Sequence, residues 1–169
     1  MKLTSSQAVK LLRRLNEEYA MLVEEEASSR AFTAAIQEDI ETVRPPYNFA
    51  SFQEKLDAID TKIRVIKHAI NRFNTTHEVP GFGMTIDEVL VCLPQLTRKK
   101  DKLAKMSRRL EKERVDSCYG SSSTNIEYTY ANYNVQEARE MLAEVSEMQG
   151  RLQTALDIVN TQEIMEIDI

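Results

Sequence analysis

Four long stretches of the chain repeat apolar residues at steps of three and four, which is the spacing of one helical face. They cover residues 4–28, 52–73, 85–110 and 134–159. The second is the most regular, with Phe52, Leu56, Ile59, Ile63, Ile66, Ile70 and Phe73 in this spacing. Such a narrow stripe is typical of a helical hairpin or coiled-coil seam. We therefore predict a mainly α protein, a helical bundle of coiled-coil hairpins.

The first and third predicted helices begin with capping-box sequences, in which a threonine is followed three residues later by Gln or Glu. Thr4 precedes Gln7, and Thr85 precedes Glu88. In both, the side chains can satisfy backbone amides of the first turn. Pro94 falls inside the third helix, where a proline costs about 3 kcal/mol. We predict that this helix is kinked or broken near Val91.

Three shorter segments have the patterns of strands. Residues 31–36 include Phe, Thr and Ile, which favour strands, and residues 125–132 alternate with period two. Residues 163–169 also alternate and are predicted to form an edge strand. We expect the first two segments to pair as a small antiparallel β element, which helices or another subunit would have to cover. The glycine- and serine-rich residues 116–125 predict a mobile loop.

The two halves of the chain share a set of matched positions. Tyr47-Asn48 matches Tyr133-Asn134 at an offset of 86, and Asn74-Thr75 matches Asn160-Thr161 at the same offset. The two capping boxes match at an offset of 81. Chance can align two amphipathic helices, but it does not readily align these flanking residues as well. The pattern predicts an internal duplication whose loops differ in length.

The duplication predicts one domain over residues 1–169, made of two tandem helix-strand-helix repeats. The first repeat is residues 1–80, and the second is residues 81–169, ending in the extended tail. Because neither repeat can bury its apolar stripe alone, we expect the halves to dock and the seam to extend to another chain. The leading hypothesis is a non-enzymatic homo-oligomeric scaffold or partner-binding module.

Charge and composition narrow the choice of partners. The net charge of −5 argues against binding to nucleic acid or an anionic membrane. The basic run at residues 98–114 could form a phosphate-binding surface, but no aromatic residue interleaves with its cations. A solvated helix whose cations suit its own C-terminal dipole and face the acidic first helix is the preferred interpretation, so nucleic acid is not expected.

Neither an export signal nor an apolar stretch long enough to span a membrane is recognisable in the sequence. Cys92 and Cys118 lie far apart, without the spacing of a disulfide framework or zinc site. We expect a cytoplasmic protein without a membrane partner.

A second hypothesis is an oligomer that binds or sequesters a small anionic or nucleotide-like ligand. Its candidate residues are Asn74, Thr75, Asn160, Thr161, Tyr128, Tyr130 and Arg30. The Asn-Thr pairs could instead only satisfy the last carbonyls of helices, and tyrosines on a strand usually pack against helices. His68 and His77 have no partner at metal-ligand spacing, and no catalytic motif is recognisable. We therefore predict no catalytic residue, metal or cofactor, and an enzyme is the third hypothesis.

Four segments carry a resemblance to a known family. They are residues 66–76 (IKHAINRFNTT), 84–90 (MTIDEVL), 126–132 (IEYTYAN) and 156–161 (LDIVNT). Together they resemble the bacterial septicolysin-like family of small helical proteins, and the match spans nearly the whole chain. The family name implies a cytolysin, but the lack of an export signal and membrane-length segment argues against a pore-forming toxin. Pro94 departs from the pattern, and the resemblance assigns no functional residue.

Overall fold

The four periodic stretches form four long helices. A computed structural model of the chain describes residues 1–115 and 126–168, and these contain five helices. The helices are α1 (Ser5–Ser29), the one-turn α2 (Ile40–Val43), α3 (Phe49–Thr76), α4 (Ile86–Ser107) and α5 (Val135–Gln162). The prediction of a mainly α protein with a small antiparallel β element is confirmed.

In residues 1–115 and 126–168, short strands lie at the ends of these helices and pair in three antiparallel ribbons. They are β1 (Lys2–Thr4), β2 (Glu78–Val79), β3 (Met84–Thr85), β4 (Lys112–Arg114), β5 (Tyr128–Tyr130) and β6 (Ile164–Glu166). β1 pairs with β6, β2 with β3, and β4 with β5. The turn between β2 and β3 contains Gly81 and Gly83, whose φ angles of 84° and 60° favour glycine. The predicted strands near residues 128 and 164 are confirmed.

The strand predicted at residues 31–36 is wrong, and so is its pairing with residues 125–132. Residues 31–35 have no regular structure, and the amide of Glu38 donates to the carbonyl of Ala35 in a turn at 3.0 Å. Phe32 and Ile36 are exposed, so no sheet face buries them. A strand needs a hydrogen-bonded neighbour, and β5 has β4 as its partner instead. Strand propensity alone therefore predicted a strand where none forms.

The predicted break near Val91 does not occur, because α4 continues through Pro94, and the alternative of a kink stays a prediction. A proline in a helix leaves one carbonyl of the preceding turn without its amide donor. Pro94 is exposed, so water can reach this region of the helix. Leu110, which the sequence placed on the apolar stripe, lies beyond the end of α4 and is exposed. The predicted loop at residues 116–125, with Cys118, lies outside the described residues.

The first compact unit contains Met1–His77 together with the end of the chain from Ile158. Its core lies between α1 and α3 and also takes in two residues from the final segment. The buried cluster is Ala8, Leu15, Ile59, Ile63, Ile66, Met165 and Ile167. The amide of Ile167 donates to the carbonyl of Met1 at 2.8 Å, next to the β1–β6 ribbon. Both ends of the chain therefore build this unit.

The second unit is Glu78–Asp157, which contains α4 and most of α5. Polar side chains connect these two helices: Lys100 Nζ donates to Gln149 Oε1 at 3.3 Å, and Gln149 Nε2 donates to Thr97 Oγ1 at 2.9 Å. At the offset of 86, Gln149 corresponds to Ile63, which is buried in the first unit. Lys100, Gln149 and Thr97 thus form a hydrogen-bonded network between α4 and α5.

The repeated Tyr-Asn pairs have the same local roles in both units. Tyr47 Oη donates to Glu26 Oε1 at 2.8 Å and Tyr133 Oη donates to the carbonyl of Met106 at 2.9 Å, each near the end of the preceding long helix. The following asparagines accept from first-turn amides of α3 and α5. Both capping boxes also form. The duplication stays a prediction. Matched hydrogen bonds and capping boxes in both units are the features that a duplication would produce.

Candidate partner-binding surface

A groove of about 550 Å³ runs between α1 and α3 on the surface of the first unit. We call it the α1/α3 groove. It is lined by Arg14, Glu17, Glu18, Met21, Leu22, Glu25, Lys55, Ala58, Ile59 and Lys62. The floor is apolar, and Met21 is 71% exposed although it is a large hydrophobic residue. An apolar floor with a charged rim is typical of a surface that another helix covers.

Helical periodicity explains why these side chains line one groove. On α1, Glu18, Met21, Leu22 and Glu25 are three or four positions apart and therefore share a face. Leu22 also packs against the core between the helices. Met21 lies beside the core stripe rather than in it, so its exposure follows from its position on the helix.

The two walls of the groove carry mostly opposite charges. α1 contributes Glu17, Glu18 and Glu25, and α3 contributes Lys55 and Lys62. Among the described residues, Glu18, Glu25, Lys55 and Lys62 form no salt bridge within 4.0 Å. The groove therefore presents an acidic wall and a basic wall without a salt bridge at these four residues, although Lys55 Nζ also lies 5.5 Å from the centre of the Phe52 ring.

A second apolar surface lies in the connection between α1 and α3. Large hydrophobic side chains are exposed there and at the first residue of α3: Phe32, Ile36, Ile40, Val43 and Phe49. Arg44 lies 6.0 Å from the centre of the Phe32 ring and pairs with Glu41 at 3.0 Å. Single exposed apolar residues are ordinary, but several in residues 32–49 make this segment a candidate interaction surface.

The Asn-Thr pairs predicted as a ligand site end their helices. Thr75 Oγ1 donates to the carbonyls of Asn71 and Arg72, and Thr161 Oγ1 donates to that of Ile158 at 3.1 Å. Both pairs lie in the first unit. Asn74 Oδ1 is buried and accepts no hydrogen bond from the described residues. The bonds favour the helix-end interpretation for both hydroxyls, and ligand binding stays a prediction.

The remaining predicted ligand residues lie elsewhere. Arg30 caps the end of α1 and lines a separate groove of about 510 Å³ with Arg44 and Tyr47. Tyr128 and Tyr130 lie on β5 in the second unit and are exposed, so they do not pack under helices as strand tyrosines usually do. Arg30 and the two tyrosines thus belong to different units.

The fold raises the pKa of Tyr47, which lies near these surfaces. Burial raises the pKa of the Tyr47 phenol above its ordinary value of 10.0, and the hydrogen bond to Glu26 raises it further. Gln53 Nε2 also donates to Glu26 Oε1, at 3.2 Å. The neutral phenol is therefore favoured as a donor that holds the end of α1 against the start of α3.

No helix among the described residues is both long enough and apolar enough to cross a membrane. No three His, Cys, Asp or Glu side chains in that part of the chain lie together as metal ligands would.

Comparisons with known proteins bear on the fold. No family model and no curated protein matches the chain. One similar solved structure is the crystal structure of a functionally unknown conserved protein from Corynebacterium diphtheriae. It shares 17% sequence identity with this chain at a TM-score of 0.56, over 98% of this chain and 100% of that one. At this identity the likeness shows a shared fold alone.

Sequence reasoning missed the α1/α3 groove as a candidate surface. A signal was present: Met21 is an apolar residue beside the core stripe, between Glu18 and Glu25. The opposing basic residues of α3 come from more than thirty positions further along the chain, so the two walls become neighbours only once the hairpin forms.

Proposed function

We propose that this chain is a non-enzymatic helical scaffold that self-associates through the α1/α3 groove. The observation that carries the proposal is the apolar floor at Met21 between an acidic and a basic wall. A second copy, turned by a twofold axis, would place its acidic α1 wall against the basic α3 wall of the first. Such an isologous interface satisfies both walls at once. Membership of the septicolysin-like family and a cytoplasmic location remain part of the proposal.

The charges support a second copy over an unrelated partner. Lys55 and Lys62 are two turns apart on α3, and Glu18 and Glu25 are two turns apart on α1. Matching spacings on antiparallel helices allow both pairs to meet their counterparts across a twofold axis. Opposed charges at an interface set its register and orientation, while the buried apolar floor supplies the affinity.

The exposed segment between α1 and α3 supports a scaffold with more than one contact surface. The five exposed hydrophobic residues from Phe32 to Phe49 do not line the groove. A dimer formed through the groove therefore leaves them free to contact the second copy or a further partner. Burying such side chains stabilises an assembly by about 25 cal/mol per Å² of apolar surface.

Sedimentation velocity tests the proposal. Wild-type protein should sediment as a dimer or larger oligomer at about 100 µM, where a complex with a micromolar dissociation constant is saturated. Met21→Glu places a charge on the apolar floor and should weaken association by about 10-fold or more. Ala20→Glu makes the same charge change on the same helix, at an exposed position outside the groove, and should associate like wild type.

A charge-swap mixture tests the twofold arrangement itself. The double variant Lys55→Glu/Lys62→Glu makes both walls acidic, and Glu18→Lys/Glu25→Lys makes both walls largely basic. Each should be monomeric alone because like charges oppose each other. Mixed in equal amounts, they should form a heteromer because every wall regains an opposite partner.

Two results would overturn self-association through the groove. The first is a wild-type protein that stays monomeric at about 100 µM. The second is an oligomer that Met21→Glu leaves intact, which would place the interface elsewhere. Circular dichroism of each variant should match wild type, since all substituted positions are exposed to solvent.

A further inference from the structure

The β4–β5 ribbon places cations and aromatic rings on one exposed face. Lys112 is paired with Tyr130 and Arg114 with Tyr128. Because directly opposed residues of antiparallel strands point to the same side, all four side chains share a face. We call it the ribbon face. Lys112 Nζ lies 4.0 Å from the centre of the Tyr128 ring and 5.6 Å from that of Tyr130.

The ribbon face is open to solvent. Tyr128 is 43% exposed and Tyr130 is 60% exposed, and all three residues of β4 are exposed. Apolar neighbours flank the face: Leu110 and Ile126 are each more than 60% exposed. Buried tyrosines would be ordinary packing, whereas two exposed rings on one ribbon offer flat surfaces to a ligand.

The ribbon face also lies at the end of the most basic part of the chain. Residues 98–114 contain nine basic residues and three acidic ones, a formal charge of +6 in a chain whose net charge is −5. Glu113 lies between Lys112 and Arg114 in sequence and therefore points to the opposite side of the ribbon, as does Glu127. The face with the tyrosines is thus cationic, and the acidic side chains lie behind it.

We propose that the ribbon face binds single-stranded nucleic acid. Exposed aromatic rings can stack on unpaired bases, and neighbouring cations can contact the phosphates between them. The sequence argued against nucleic acid because no aromatic residue interleaves with the basic run. The fold supplies those residues from β5, which strand pairing brings against β4. A duplex has its bases stacked internally, so it can meet the cations but not the rings.

Fluorescence anisotropy with a labelled single-stranded oligonucleotide of mixed sequence, about 20 nucleotides long, tests this proposal. The full chain should bind it, and an unlabelled single strand should compete more effectively than its duplex. Tyr128→Ala/Tyr130→Ala should weaken binding by about 10-fold or more, since each stacked base contributes substantially. Tyr128→Phe/Tyr130→Phe keeps both rings and should bind within about twofold of wild type, a result expected of stacking.

The salt dependence separates phosphate contacts from stacking. Lys112→Gln should reduce the slope of log affinity against log salt concentration by about 0.7, the value for one phosphate contact to a single strand. Thr129→Ala, on the opposite side of β5, is the matched control and should change neither affinity nor slope.

Three results would overturn the proposal. One is the absence of binding by the wild-type chain at about 50 mM salt, where electrostatic affinity is high. Another is equal binding by the double alanine variant and wild type. A third is a change in oligomeric state, rather than in oligonucleotide affinity, on removing the tyrosines, which would assign the ribbon face to a second copy of the chain.

Discussion

The capping box at the start of α4 lowers the pKa of Glu88. Its Oε2 accepts from the backbone amide of Thr85 at 2.7 Å and from the Thr85 hydroxyl at 3.0 Å. These two hydrogen bonds hold the pKa of Glu88 below its ordinary value of 4.5, and the bond from the backbone amide has the larger effect. Both bonds favour the ionised form, so folding and deprotonation of Glu88 are linked.

We predict that Glu88 stabilises the protein less as the pH falls. A carboxyl whose pKa is lower in the folded state contributes stability above its unfolded pKa and loses it as pH falls through its folded pKa. Glu88→Gln removes this titration. Thermal unfolding should therefore show wild type more stable than Glu88→Gln at pH 7, with the difference shrinking as pH falls through about 4.5 and below.

The other capping box provides a matched control for Glu88. Gln7 occupies the equivalent position in α1 and accepts from the amide of Thr4 at 3.0 Å, but it does not titrate. Gln7→Ala should lower the midpoint of unfolding by the same amount at every pH in this range. A difference between wild type and Glu88→Gln that is unchanged from pH 7 to pH 3 would contradict the linkage.

At the scale of elements, the helices were predictable and most strands were not. The amphipathic pattern of a helix is local, so it located α1, α3, α4 and α5 within a few residues. A short strand depends on its partner, and β1 pairs with β6 from the opposite end of the chain. β4 consists of Lys-Glu-Arg, a sequence with no strand preference, and forms against β5.

Gly150 offers a stabilising substitution within an element. It lies in α5 and is exposed, and a Cβ added there would meet no heavy atom within 4 Å. Gly150→Ala should therefore raise the free energy of unfolding by about 0.5–1 kcal/mol, because alanine has less freedom to lose in a helix. Urea denaturation followed by circular dichroism measures this.

Gly83 is the control for this substitution, because its φ of 60° strains any residue with a Cβ although the space around it is open. Gly83→Ala should destabilise the protein, by about 1 kcal/mol or more. If both alanine variants shifted the urea midpoint in the same direction, helix propensity could not be the cause of the Gly150 effect.

For the molecule as a whole, the sequence could predict part of the candidate surfaces. The basic run and the tyrosines were each visible in it, yet only the pairing of β4 with β5 brings them to one face. The groove between α1 and α3 likewise needs both helices of the hairpin. Residues far apart in sequence become neighbours through tertiary contacts, which local patterns do not encode.

The most distant of these contacts concerns Ile167, which is 1% exposed and lies in the core of α1 and α3. The core of the first unit is therefore incomplete without residues 165–167. Ile167→Ala should lower the free energy of unfolding by about 2–5 kcal/mol, since it leaves a cavity in a packed core.

Ile164 is the matched control, because it lies on β6 but is 60% exposed. Ile164→Ala should change the free energy of unfolding by less than about 0.5 kcal/mol, as exposed substitutions usually do. Urea denaturation of the two variants measures the difference. Equal effects would mean that the final segment lies on the surface, and the first unit would then have to close its core with α1 and α3 alone. A large difference means that Ile167 completes the core of the first helical hairpin.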